Sequence, residues 1–206
     1  DNLLHHELGH EWFGNKVSVG DWADFWIQEG ITSFGDWMFY WEHGGEEAYF
    51  KKAKSTLKQI SHSKPVVSAV NSTEEEAYHP EIYTKGAYVM HSLSWVLGDD
   101  VFFPMLKAFS SDPRFTYENQ VNTRDFIDFV QSFQLYLYTT DIPEVKISKK
   151  GEKGYEVSLL GIDFQLPVEV ETEKGIETMT LGKQPLLINS KSLPIVDPRG
   201  WLMLKK

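Results

Sequence analysis

His6-Glu7-Leu8-Gly9-His10 decides how this chain is read. On an α-helix, residues four apart lie about 6 Å apart along the axis and about 40° apart around it, so both imidazoles reach one metal ion. Glu7 projects about 100° from His6, where it addresses a water at such an ion without being a ligand. Glu29 follows His10 by 19 residues, in Trp26-Ile27-Gln28-Glu29-Gly30. A helix, a turn and an antiparallel second helix bring a carboxylate at that distance against the His pair. Two His and one carboxylate leave the fourth tetrahedral position open, the pattern of a catalytic zinc rather than a structural one. Flanked by Trp26 and Ile27, Glu29 is expected to be at least partly buried, and a buried carboxylate wants a cation. Without Glu29, the five residues also fit a helix with surface His and Glu.

Leu4, Leu8 and Trp12 recur every four residues and predict one apolar helical face over Leu3 to Phe13, ended by Gly14-Asn15. A second helix opens at Asp21-Trp22-Ala23-Asp24, passes Trp26, Ile27 and Phe34 and stops near Gly44-Gly45. A third runs from Glu46 to Ile60, acidic at its start and basic at its end, as the helix dipole favours. Lys64 to Pro80 reads as loop. Lys85 to Leu97 and Asp99 to Phe109 read as helices, and Asn122-Thr123 caps a sixth with Phe126, Ile127 and Val130 on one face. Beyond Asp141 the pattern changes to short alternating strands: Glu144 to Ser148, Tyr155 to Leu159, Leu166 to Glu171, Glu177 to Leu181, Pro185 to Ile188 and Trp201 to Leu204. Five or six such strands predict a small antiparallel sandwich.

Composition draws the same line. Up to Thr140 there are 10 basic and 20 acidic residues; from Asp141 onward there are 10 of each. All seven His precede residue 92, so the metal-capable part is also the negative part. A chain of net charge -10 repels phosphate backbones, which argues against a nucleic-acid partner. With no Cys there is no disulfide, thiolate metal site or Cys nucleophile, and no compartment is indicated. No apolar run approaches the roughly 20 residues of a membrane span.

The stretch His6-Glu7-Leu8-Gly9-His10-Glu11-Trp12-Phe13-Gly14-Asn15, with Asp21 to Gly30 and Tyr83-Thr84-Lys85-Gly86-Ala87, resembles the gluzincin zinc aminopeptidases of the membrane-alanyl and leucyl type, a family that also includes a leukotriene-epoxide hydrolase. The resemblance implies an α+β multidomain architecture. Residues 1–141 would be the helical half of a thermolysin-like catalytic domain, and residues 142–206 the β-sandwich that follows it. It implies one zinc ion held by His6, His10 and Glu29, with Glu7 polarising the water and passing its proton to the leaving amine. Tyr83 would donate to the oxyanion of the tetrahedral intermediate. Peptides with a free N-terminus would be the substrates.

The match has departures. Gln28 stands where the family reads Asn, and the join at Ser132 to Tyr136 is short, where the family has another helical segment. The upstream Gly-x-Met-Glu-Asn segment, whose Glu binds the substrate's α-amine, is not in this chain. The expectation is therefore the C-terminal part of a larger enzyme, partnered by the missing N-terminal part of the same protein. Two alternatives stay open: a non-catalytic binding or structural module, and epoxide hydrolysis on the same zinc site. His5 points to another face than His6, and His91 is read as packing or solvated. Ser33 and Asp36, one and two turns after Glu29, are each placed to orient a zinc-bound imidazole or to lie on the helix surface. Lys85 either keeps the local field positive or is a first-turn surface residue, and the second is expected.

Overall fold

A computed structural model describes residues 2–130, 142–162 and 165–205. The chain forms two compact units, Asp1–Thr140 and Asp141–Lys206. The expected short join at Ser132 to Tyr136 lies outside the described residues.

The first unit is helical. Helix α1 spans Asn2–Gly9 and α2 spans Trp26–Leu57. Between them a short strand β1, Ser18–Val19, pairs in parallel with β2, Gln120–Val121. Asp21 caps a 3-10 turn at Trp22–Asp24, its carboxylate accepting from the Ala23 amide at 2.9 Å. Helix α2 is one element with a break inside it: Gly45 sits at φ 67°, a left-handed value that glycine adopts without a Cβ penalty. The break is the expected boundary between the second and third helices. Then follow α3 (Glu74–Ala77), α4 (Pro80–Leu97), α5 (Asp99–Phe109) and α6 (Thr123–Val130). Helix α3 was expected as loop. It forms where Thr73 and Glu76 make a reciprocal capping box, which satisfies amide donors that a single turn otherwise leaves free.

The core of this unit is the crossing of α2 and α4. Trp26, Ile27, Phe34 and Trp37 from α2 meet Ile82, Tyr88 and Met90 from α4, all at most 2% exposed. Each such side chain contributes about 1.5–3 kcal/mol by leaving water. The two backbones touch at glycine: a Cβ on Gly86 would lie 2.9 Å from the Gly30 Cα. Helices α5 and α6 close the core with aromatic edges, Phe102 against Phe34 at 5.6 Å and Phe126 against Trp26 at 5.5 Å.

Helix α1 corrects the sequence reading. It ends at Gly9, short of Trp12, and its leucines point outward: Leu4 is 61% and Leu8 55% exposed. The spacing of four is real, but within the described residues that face has no apolar layer to meet. No residue from Leu3 to Gly9 is fully buried.

The second unit holds two three-stranded antiparallel sheets. One runs β3 (Glu144–Lys149), β4 (Tyr155–Leu160), β7 (Leu186–Ile188); the other runs β6 (Gly175–Leu181), β5 (Leu166–Thr172), β8 (Ile195–Val196). Val157 and Leu159 of β4 and Val168 and Val170 of β5 are fully buried, and Ser158 and Glu169 between them are buried as well, so the expected alternation is not clean in these central strands. The Leu159 amide donates to Gly182 O at 2.8 Å. Trp201 to Leu204 is not a strand. Asp197 accepts the Trp201 and Leu202 amides there, and only Lys205 bridges to Glu144. The edge strand β8 escaped the sequence reading because two residues show no period.

Candidate metal centre

Three elements build the site. Helix α1 presents His6 and, just past its last residue, His10. The first turn of α2 presents Glu29, and the first turn of α4 presents Tyr83. Glu29 is 7% exposed, as its apolar flanks suggested. Its Oε2 lies 3.3 Å from His6 Nε2 and 3.4 Å from His10 Nε2. One ligand atom from each of the three residues lies within 4.8 Å of the other two. Among the described residues no other group of three His or carboxylate side chains converges in this way.

The second nitrogen of each imidazole is engaged as well. His6 Nδ1 donates to Asp36 Oδ2 at 2.9 Å, and His10 Nδ1 donates to the Phe13 carbonyl at 2.9 Å. Both acceptors lack hydrogens, so each ring carries a proton on Nδ1 and turns Nε2 toward Glu29, to which His6 Nε2 is hydrogen-bonded at 3.3 Å. That is the tautomer a metal ligand needs. Burial works to lower the His6 pKa, but the hydrogen bond and charge of Asp36, and then those of Glu29, outweigh it and hold His6 above its ordinary value. A cation in the same place would take over the role of that proton.

Glu7 is exposed on α1 beside His6. The Tyr83 ring lies 6.2 Å from the His6 ring at an angle of 27°. Burial, the hydrogen bond with Tyr78 and the negative charge of Glu29 all push the Tyr83 phenol well above its usual range, so it remains a donor. Tyr78 was not singled out in the sequence. It follows α3, its phenol oxygen meets that of Tyr83, and its ring packs 5.8 Å from Phe25. The only signal was the Thr73/Glu76 box that folds α3 and so delivers Tyr78.

Asp36, not Ser33, faces His6. His91 is fully buried and bonded to the Tyr49 phenol at 2.7 Å, which is packing. His5 is not in the converging set but reaches Asp36 Oδ1 at 3.2 Å. Lys85 is not a surface residue: α4 begins at Pro80, which carries Lys85 into the buried second turn at 0% exposure. Its charge is felt by its neighbours. Burial first and Lys85 next push His62 below its ordinary pKa.

The chain is similar to several known proteins. The family model described as the peptidase family M1 domain matches residues 1–147. Aminopeptidase Q from Felis catus is 31% identical over 129 residues, which is 57% of this chain and 13% of that protein. Aminopeptidase N from Lactococcus lactis subsp. lactis is 30% identical over 121 residues, 52% of this chain and 14% of that protein. The chain thus spans about one seventh of the length of such relatives. An M1 zinc metallopeptidase from Deinococcus radiodurans, solved with a Tyr-Ser-Ala substrate, superposes on 64% of this chain and 29% of its own, with a TM-score of 0.57 and 26% identity. Legionella pneumophila aminopeptidase A shares the fold over 100% of this chain and 27% of its own, with a TM-score of 0.73 at 17% identity.

Proposed function

Because this chain belongs to peptidase family M1, we propose that it supplies the metal-binding and proton-transfer residues of a zinc-dependent aminopeptidase, as part of a longer polypeptide. The carrying observation is the convergence of His6, His10 and Glu29 with both Nδ1 atoms already committed to other acceptors. Two imidazole nitrogens and one carboxylate fit zinc, and the fourth position is left for water or substrate. When bound, zinc supplies Lewis-acid polarisation and makes water a nucleophile near neutral pH.

The protein's own groups then have separable tasks. Glu7, one residue from His6 and open to the solvent side, takes the proton of the attacking water and passes it to the departing amine. Tyr83 stays protonated and donates its phenol hydrogen to the developing oxyanion. Asp36 and the Phe13 carbonyl hold the two imidazoles in the required tautomer. The substrates are peptides with a free N-terminus, and the group that reads that amine lies in the partner part of the same protein. Residues 1–141 act as the helical half of a thermolysin-like catalytic domain, and residues 142–206 as a supporting β-sandwich without catalytic residues. The converged ligand set speaks against a purely structural module, and no residue of the site favours epoxide hydrolysis.

The test is Glu7→Gln in the full-length protein. The amide keeps the shape but takes no proton, so zinc should stay at one ion per chain while turnover of an aminoacyl peptide falls about 100- to 10,000-fold. Retention of most of the rate with zinc bound would reject Glu7 as the base. Equal zinc in the wild type and in Glu29→Ala would reject the ligand set.

A further inference from the structure

We propose that His5 is a positioning residue of the metal centre, acting on His6 through Asp36. The inference rests on the metal-site reading above and adds to it a residue outside the ligand set.

Asp36 lies on α2 two helical turns beyond Glu29, so one helix face carries both carboxylates. Its two oxygens go to two neighbouring imidazoles of α1. Oδ1 takes His5 Nδ1 at 3.2 Å, and Oδ2 takes His6 Nδ1 at 2.9 Å. A carboxylate is an acceptor only, so both imidazoles must present N–H at Nδ1. The Asp36 side chain is 21% exposed, and alone it is free to turn an oxygen toward water. A second donor on Oδ1 removes that freedom and fixes Oδ2 on His6.

His5 is itself braced. Its ring lies 5.3 Å from Phe39, tilted by 56°, and Phe39 stands one turn beyond Asp36 on the same face of α2. The imidazole therefore fills the notch between Asp36 and Phe39. A surface ion pair adds little stability, and the His5 side chain is 42% exposed. Its contribution is orientation. With Asp36 fixed, His6 carries a proton on Nδ1, and Nε2 is the nitrogen turned toward Glu29.

Three variants of the full-length chain separate the donor from the packing. His5→Phe keeps an aromatic ring against Phe39 and removes the donor. His5→Asn sets an amide N–H near the place of Nδ1. His5→Ala removes both, and substitutes as the donor-free variant should His5→Phe misfold. In the metal-free protein, long-range 15N–1H correlation spectra report the His6 tautomer directly. The wild type and His5→Asn should show His6 protonated at Nδ1, and His5→Phe should show a mixture of tautomers. Zinc dissociation constants should weaken about threefold or more in His5→Phe, recover in His5→Asn, and weaken about 10- to 100-fold in Asp36→Asn. An unchanged His6 tautomer together with an unchanged zinc constant in His5→Phe would overturn the proposal and leave the metal site standing. A wild type that takes up no zinc would instead overturn the metal-site reading, while the tautomer spectra still decide the role of His5.

Discussion

Tyr78 and Tyr83 meet phenol to phenol at the mouth of α4, although one follows a single-turn helix and the other lies inside the next. The contact gives the proposed oxyanion donor a second polar neighbour besides Glu29. Tyr83→Phe should therefore lower kcat on a peptide substrate about 100- to 1,000-fold with little change in KM, the signature of a bond made in the transition state. Tyr78→Phe should cost much less, because Tyr83 keeps its own hydroxyl. Steady-state kinetics of the two variants in the full-length protein check this. Equal losses would mean that the pair acts as one unit.

The glycine crossing of α2 and α4 predicts an asymmetry between two similar substitutions. In Gly86→Ala the new Cβ would stand 2.9 Å from the Gly30 Cα, and backbone does not yield cheaply. The cost should be about 1–3 kcal/mol, seen as a lower thermal midpoint of the helical unit by far-ultraviolet circular dichroism. In Gly35→Ala the Cβ meets nothing within 4 Å, and the helix interior should gain about 0.5–1 kcal/mol.

Much of the site was legible in the sequence because it uses helical spacing. His6 and His10 share a face by arithmetic, and Glu29 was marked by its apolar flanks. Asp36 and Ser33 were not separable, since only the rotation of α2 against α1 decides which one faces His6. Lys85 was misplaced because the helix begins five residues earlier than its apolar period, at a Pro that suits a first turn. The outward leucines of α1 mark where amphipathic reasoning fails: periodicity locates an apolar face, not what covers it.

In the sheet unit, Arg199 embraces Glu169 on β5. Its Nε donates at 2.8 Å and 3.0 Å, and its Nη2 also bonds Oε1. Glu169 is 2% exposed, so Arg199→Ala strands a buried carboxylate. We expect a loss of about 3–5 kcal/mol. Hydrogen exchange at the β5 amides reads this unit separately from the helices, and unchanged protection there would refute the expectation.

Acid should loosen one corner of the same unit. Glu173, in the turn between β5 and β6, accepts from Ser190 Oγ at 2.7 Å and the Lys191 amide at 3.1 Å, which hold its pKa down to about 2. A carboxylate depressed in the folded state contributes stability that is fully present above its unfolded value, 4.5, and is lost as the pH falls toward 2. Protection of the Lys191 amide should decline across that window in the wild type. In Glu173→Gln it should start lower and stay flat.

The outward-facing leucines of α1 have a consequence for how the molecule holds itself together. A helix usually docks by its greasy side; this one turns imidazoles inward, and its ties to α2 include His5 and His6 on Asp36 and His6 and His10 on Glu29. An ion shared by those three ligands would then be a rivet as well as a reagent, fastening the helix it activates. Its binding energy adds to folding by mass action, about 2.7 kcal/mol at a hundredfold excess over its dissociation constant. Chelation should therefore do more than silence turnover: it should unpin the segment before Gly14, opening the chain there to proteases.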